Sequence, residues 1–500
     1  MSALTTLGSG LEFMIQNPVS FVYLIVGVFF GMVFGAIPGL TAALAVSLIL
    51  PFTYAMAAQN GLTTLIAIYV GGISGGLVSA IMLNIPGTPS SLVTCFDGSP
   101  MAKQGRASEA LSLGVFASLF GGVFSALALI VIAPQLAKIA LIFGPWEYFA
   151  MGVMGLAVVV SLCSTGDIIK GLIGAIIGLL LGSIGMDSVS GVARFNFGAW
   201  QLNAGLGDLP TLMGLFALAE ILTQLSTMNQ TGQVLQTGKI RFFPEKRLVQ
   251  GHMKNYFTSS LIGTIIGILP GVGQSTACMI AYNQARQSSE TPEKFGTGCE
   301  DGVIASESAN NAVCGGALIP MLTMGIPGDT VTAILLGGLV VHGLQPGPLL
   351  FSSNADIIGV VFVAYLLANF VMYFMFMKLM KFFIRVLSIP MKYMFPILLI
   401  MCSLGSFTGN NRIFDIWVLF FVGILGYVLT HCGFSLPPIV LGYILSKIIE
   451  SNFRTALIGA RGNFGEILTR PIALALMAVA VIMILWPLVK LARKKETTAA

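Results

Sequence analysis

Apolar residues run along this chain in stretches of roughly 20, the length with which one helix crosses a bilayer, separated by short polar breaks. In the first half they cover about 18–37, 40–58, 61–83, 109–133, 147–163, 168–186 and 211–225. In the second half they cover about 256–282, 303–325, 330–351, 356–384, 393–409, 413–431, 434–449 and 471–489. Residues 187–210 are polar, with Asp187, Arg194, Asn196, Asn203 and Asp208 among glycines, and residues 226–254 form a basic divide. Several apolar stretches carry Gly or Pro at their centre, which predicts re-entrant hairpins among the true crossings.

A ladder of small residues, Gly27, Gly31, Gly35 and Gly39, leads into Gly35-Ala36-Ile37-Pro38-Gly39-Leu40-Thr41. Adding 232 gives Ser259, Gly263, Gly267 and Gly271, with Pro38 echoed by Pro270. A spacing of four puts small residues on one helix face, where a neighbouring backbone can come close in lipid. The Pro-Gly pair then ends the helix, because Pro lacks an N–H and Gly accepts positive φ. Asn84-Ile85-Pro86-Gly87-Thr88 is answered by Gly325-Ile326-Pro327-Gly328-Asp329, and Asp97-Gly98 by His342-Gly343. Pro145 and Pro390, Tyr148 and Tyr393, Ser161 and Ser406, and Gly178 and Gly423 continue the correspondence.

The expected fold class is therefore an all-α polytopic membrane protein of two homologous, inverted repeats with broken helices and re-entrant hairpins. The first repeat covers 1–230, a basic cytoplasmic linker 231–254, the second repeat 255–470, and an extra transmembrane helix with a basic tail 471–500. Inversion follows if the uncharged start lies outside, the linker inside, and the first half crosses an odd number of times. Arg454, Arg461 and Arg470, set against Glu450 and Glu466, weigh mildly against that orientation.

Composition excludes a soluble globule: 56% of the 500 residues are hydrophobic and 9% charged, with a mean hydropathy of +0.91, where soluble domains carry about 25% charge. The net charge of +5 is no sign of nucleic-acid binding. It gathers at Lys239, Arg241, Lys246, Arg247 and Lys254 and at Lys490, Arg493, Lys494 and Lys495, as cytoplasmic loops do. No Lys or Arg precedes Lys103, so the start lacks the basic region of a signal peptide and the first apolar segment is expected to stay. The seven Cys form no C-x-x-C pair and read as small buried hydrophobes. His252, His342 and His431 have no ligand-spaced partners, so no transition metal is expected. With no nucleophile elbow, Walker loop or H-E-x-x-H, neither an enzyme nor an ATP-driven pump is indicated, no cofactor is expected, and an ion gradient remains as energy source.

The candidate chemistry lies at the four Pro-Gly breaks. A half-helix N-terminus offers N–H groups and a positive dipole end to a carboxylate. Unwound carbonyls and Asn or Thr oxygens suit a sodium ion. The substrate-binding candidates are Gly39, Thr41, Thr88, Ser90, Ser91, Gly271, Gln274, Ser275, Thr276, Asn310 and Thr330, and the ion-binding candidates are Asn84, Asn311, Thr323 and Asp329. The bland alternative is that Pro and Gly only kink these helices. Glu307 either titrates or begins a solvated helix, Asp329 is an ion ligand or an N-cap, and Glu220 reads as structural or subunit-facing.

Taken together, Gly35-Ala36-Ile37-Pro38-Gly39, Asn84-Ile85-Pro86-Gly87-Thr88-Pro89, Arg194-Phe195-Asn196-Phe197-Gly198, Leu215-Phe216-Ala217, Leu269-Pro270-Gly271, Glu307-Ser308-Ala309-Asn310-Asn311, Gly325-Ile326-Pro327-Gly328 and the run His342 to Pro348 resemble the large membrane subunit of tripartite tricarboxylate transporters. The resemblance covers roughly residues 20–470. Asp329 stands where a small residue such as Ser is common, and Ser308 where Ala is common. The resemblance implies a bacterial inner-membrane secondary transporter that takes a carboxylate from a periplasmic binding protein beside a small membrane subunit. Na+ or H+ is the implied coupling ion, and an elevator motion is expected by analogy with other hairpin transporters. A single-component sodium symporter for organic acids is the competing reading.

Overall fold

The computed structural model describes residues 3–163, 168–187, 189–226, 243–387, 389 and 391–499. Lys239, Arg241 and most of the expected linker lie outside these residues, as does Pro390. The first half contains α1 (Ala3–Gln16), α2 (Val19–Ala36), α3 (Ala42–Thr53), α4 (Ala58–Leu83), α5 (Leu92–Met101), α6 (Ala107–Ala140), α7 (Pro145–Cys163), α8 (Ile168–Gly182), α9 (Asp208–Met213) and α10 (Ala219–Ser226). The second contains α11 (Lys246–Gln250), α12 (Met253–Ile268), α13 (Gly273–Gln287), α14 (Glu300–Met324), α15 (Thr330–Val341), α16 (Leu350–Ser353), α17 (Ala355–Val386), α18 (Met391–Asn410), α19 (Ile413–His431), α20 (Leu436–Gly459) and α21 (Pro471–Ala499). The polar stretch before α9 holds a small antiparallel hairpin, β1 (Gly185–Met186) with β2 (Ala193–Arg194).

All four Pro-Gly pairs lie outside helices. α2 ends as Ile37 turns extended and Gly39 takes φ +85°, and α12 ends the same way at Leu269 with Gly271 at φ +72°. α4 and α14 both close on a left-handed residue, Asn84 and Gly325. Seven helices among the described residues are long and apolar enough to cross a membrane. Several expected spans are not, and two of them fall far short. The stretches 40–58 and 330–351 yield only α3 and α15, each of 12 residues, about 18 Å against a hydrocarbon core of about 30 Å. The stretch 256–282 divides into α12 and α13 at the break.

The glycine ladder does what its spacing requires. A Cβ at Gly31 would lie 2.3 Å from the Ile68 carbonyl oxygen, and one at Gly35 2.1 Å from that of Gly72. The second half repeats the crossing: a Cβ at Gly263 would lie 2.4 Å from the Ala309 oxygen, and one at Gly267 2.5 Å from that of Val313. Thus α2 lies against α4 as α12 lies against α14, backbone to backbone. The long helices are exchanged, α6 packing on α14 and α17 on α4, which interlocks the halves.

Charges collect away from this core. Arg194 pairs with Glu450, Arg454 with Asp187, and Lys447 with Asp208. The Ser190 hydroxyl, the Val189 N–H and then Arg454 hold Asp187 below the usual carboxylate range. Before α12, the His252 ring meets the Asp301 carboxylate at 2.8 Å, which raises its pKa above the usual imidazole value against the opposing effect of burial. A raised folded pKa stabilises fully below the unfolded value of about 6.5 and the benefit fades as pH rises through the folded value. His252→Ala is therefore expected to cost up to about 1 kcal/mol at pH near 6, the pair being partly exposed, and less at high pH. Thermal unfolding in detergent across pH checks this, and a cost that grows with pH refutes it.

Candidate functional site

The breaks converge. A cavity of about 520 Å³ is lined by the starts of α3, α13, α15 and α20 and by the 3-10 turn Pro89–Ser91 that leads into α5. Each start is built locally. The Thr41 side chain accepts from the Leu44 N–H at 3.1 Å. Thr88 and Ser91 form a capping box, and Asp329 and Thr332 form its counterpart in the second half. Ser435 precedes α20, whose first turn holds Pro437. The Gly271 N–H donates to the Gly328 carbonyl at 2.8 Å, joining the two breaks of the second half.

Asp329 is the most heavily engaged group. Its Oδ1 accepts from the Thr332 N–H at 2.7 Å and the Thr332 hydroxyl at 2.6 Å. Its Oδ2 accepts from the Tyr69 hydroxyl of α4 and the Gln274 amide of α13. Of the two roles left open for it, the geometry fills the N-cap.

Thr41, Thr88, Ser90, Gly271, Gln274, Ser275, Thr276, Thr330 and Asp329 all line the cavity. Ser91 is buried behind it, its Oγ accepting from the Thr88 N–H. Gly39 abuts the Gln224 side chain. The remaining ion candidates lie apart from it. Asn84 is an exposed helix cap, and the Thr323 hydroxyl bonds back to the Ile319 carbonyl at 2.7 Å. Asn311 accepts from Ser74 at 2.6 Å and donates to the Glu307 carbonyl at 3.2 Å. Asn310, on the same helix, is 1% exposed. Glu307 is fully buried, so a solvated helix start is excluded.

Several lining residues were not among the sequence candidates: Leu215, Phe216, Glu220, Ser435, Pro437 and Val440. Leu215 and Phe216 sit in a π-helical turn between α9 and α10, a local widening common where helices carry function. Glu220, read as structural, faces the cavity and accepts from the Gln224 amide at 2.8 Å. Ser435 followed by Leu436-Pro437 was a legible helix start inside an apolar stretch. Among the described residues, no Lys, Arg or His lines the cavity. Its positive character comes from helix starts alone, and its negative character from Glu220 and Asp329.

A helical membrane protein whose broken helices start around one cavity has the architecture of a transporter. The chain belongs to the family described as the tripartite tricarboxylate transporter TctA family, whose profile matches residues 21–441. It is 34% identical over 496 residues, 99% of this chain and 98% of the relative, to an uncharacterized 52.8 kDa protein of Agrobacterium vitis from the TAR-I ttuC' 3' region. A shorter uncharacterized protein of the same organism, from the TAR-II ttuC' 3' region, is 33% identical over 234 residues, 47% of this chain and 97% of its own length. No solved structure matches the chain.

Proposed function

We propose that the chain is the large transmembrane subunit of a binding-protein-dependent transporter that imports di- or tricarboxylates across the bacterial inner membrane together with Na+ or H+. The observation that carries this reading is the gathering of four helix starts and a 3-10 turn on one cavity that, among the described residues, has two acidic side chains and no basic one. Helix starts favour carboxylates. The acids at 220 and 329 oppose them, so a polyanion enters such a cavity only with cations that offset the charge. In this reading the two halves are inverted repeats, and the short helices α3 and α15 move with the cavity past the long helices α6 and α17 in an elevator motion. Disulfide cross-links that fix α3 or α15 to a neighbouring long helix are expected to stop turnover, and unchanged turnover removes the elevator.

Reconstitution with the binding protein and the small membrane subunit tests the whole proposal. Uptake of citrate, succinate or malate is expected only with the binding protein present. Uptake that persists without it favours the single-component symporter. Within the cavity, Ser275→Ala is expected to weaken uptake at limiting substrate by roughly five- to tenfold, the worth of about one hydrogen bond, with thermal stability unchanged. Normal uptake at limiting substrate would take Ser275 out of the site.

A further inference from the structure

Glu307 lies at the centre of a second polar cluster. Its Oε1 accepts from the Thr94 hydroxyl of α5 at 2.6 Å and its Oε2 from the Ser118 hydroxyl of α6 at 3.0 Å. The other acids of α14 have basic partners, Glu300 with Arg106 and Asp301 with His252. Among the described residues no ion pair includes Glu307. α5 and α13 bring only the thiols Cys95 and Cys278 to bear on it as titratable groups. α12 packs the Tyr256 ring against Phe116 and Phe120 of α6, and α4 directs Tyr69 to Asp329. Asp97, one turn beyond Thr94 on α5, is equally buried but differently furnished. It accepts from the backbone N–H groups of Gly296, Gly298 and Cys299 and from the Tyr282 hydroxyl, a full complement for a carboxylate. Glu307 has two hydroxyls and no cation.

An unpaired carboxylate at this depth is costly. A proton or a metal cation could neutralise it, and the hydroxyl geometry decides between them. Thr94 Oγ1 lies within reach of two acceptors, Glu307 Oε1 at 2.6 Å and Ser306 Oγ at 3.1 Å, and the Ser306 hydroxyl donates in turn to the Val303 carbonyl at 3.1 Å. With Glu307 ionised, Thr94 donates to it. With Glu307 protonated, the new O–H donates to Thr94, Thr94 turns to Ser306, and every group stays satisfied without a heavy atom moving. A bare cation has to sit between its ligand oxygens, and these oxygens already touch one another. The Asn310 amide is near enough to bear on the Glu307 carboxyl, yet neither its Oδ1 nor its Nδ2 closes a hydrogen bond, so a polar partner for a changed charge state stands ready.

We propose that Glu307 takes up and releases the proton that accompanies the carboxylate. The inference rests on the transport reading above and names its coupling ion. The link to the cavity is α13: Cys278 Sγ meets the Ser306 carbonyl at 3.3 Å beside Glu307, and Gln274, one helical turn earlier, donates to Asp329 in the cavity. The step is Glu307 carboxylate plus H+ giving the carboxylic acid on one side of the membrane, and the reverse on the other.

The experiment has two arms, each run on the full chain. Infrared titration of the purified protein in detergent is expected to show a protonated-carboxyl carbonyl band that disappears as pH rises and is absent from Glu307→Gln. Thr94→Val, which removes the hydroxyl partner, is expected to shift that band in frequency. A band that survives in Glu307→Gln and is unmoved in Thr94→Val overturns the assignment. In proteoliposomes with the partner subunits, Glu307→Gln is expected to keep citrate exchange at equal pH and to lose pH-gradient-driven accumulation by about tenfold or more. Accumulation in the variant equal to wild type, or wild-type accumulation driven by a sodium gradient and indifferent to a pH gradient, refutes the proton site. Wild-type liposomes that move none of citrate, succinate and malate sink the transport reading, while the infrared arm still decides the proton site.

Discussion

Gly35→Val and Gly267→Val are each expected to abolish the folded protein. A Cβ at Gly35 meets the Gly72 carbonyl oxygen at 2.1 Å and carbon at 2.9 Å, and one at Gly267 meets the Val313 oxygen at 2.5 Å and the Gly316 Cα at 2.9 Å. These are backbone atoms, so no rotamer change relieves the overlap, and α2 or α12 has to leave its partner. Overpacking where side chains can adjust costs about 1–3 kcal/mol, and a backbone clash exceeds that range. The loss is compounded because the loops behind these crossings rest on the same carbonyls: a Cβ at Gly87 would lie 2.4 Å from the Gly35 oxygen and one at Gly328 2.4 Å from that of Gly267. Displacing α2 or α12 therefore displaces Thr88 or Asp329 and the cavity with it. Gly8→Ala, in α1 with open space around it, is the matched control and is expected to be neutral or slightly stabilising. Yield of monodisperse protein and thermal unfolding in detergent are the measurements. A Gly35→Val protein that melts with wild type would mean that α2 and α4 do not cross at this point.

The ladder and the four breaks were legible because their information is local. Four-residue spacing of small side chains fixes a face, and Pro-Gly cannot continue a helix. The lengths of α3 and α15 were not legible. Apolar residues continue past both helices, and what stops them is turn geometry: the turn at Thr53–Tyr54 for one, and Gly343 and Gly347 at positive φ for the other. The cavity was half legible. Hydroxyls beside breaks marked Thr41, Thr88, Ser275 and Thr330, but hydroxyls and amides also serve helix ends. Thr323 spends its hydroxyl on Ile319, and Asn84 spends its tolerance of the left-handed conformation on a cap. The arrival of Glu220 and Ser435 is tertiary, and no window along the chain brings residues 41, 220, 274, 329 and 435 together.

Asp329→Ser separates the two roles of the acid that faces the cavity. Serine keeps the cap, since its hydroxyl accepts from the Thr332 N–H as Asp329 does now. What disappears is the charge and the acceptor for Tyr69 and Gln274. The Gln274 amide already lies 3.3 Å from the Tyr69 hydroxyl, so part of that network closes again, and the expected loss of stability is about 1–3 kcal/mol. Binding moves the other way. A negative charge about 6 Å from a bound carboxylate costs about 3 kcal/mol at an effective dielectric of about 20, so removing it tightens citrate binding by roughly a hundredfold when cations are scarce. Raising Na+ or H+ neutralises the same repulsion in the wild type, and the advantage of the variant is expected to shrink accordingly. Calorimetric titration of citrate at several cation concentrations reads both effects at once. Equal affinity of variant and wild type throughout would mean that the substrate does not feel Asp329, which then serves the helix and nothing else.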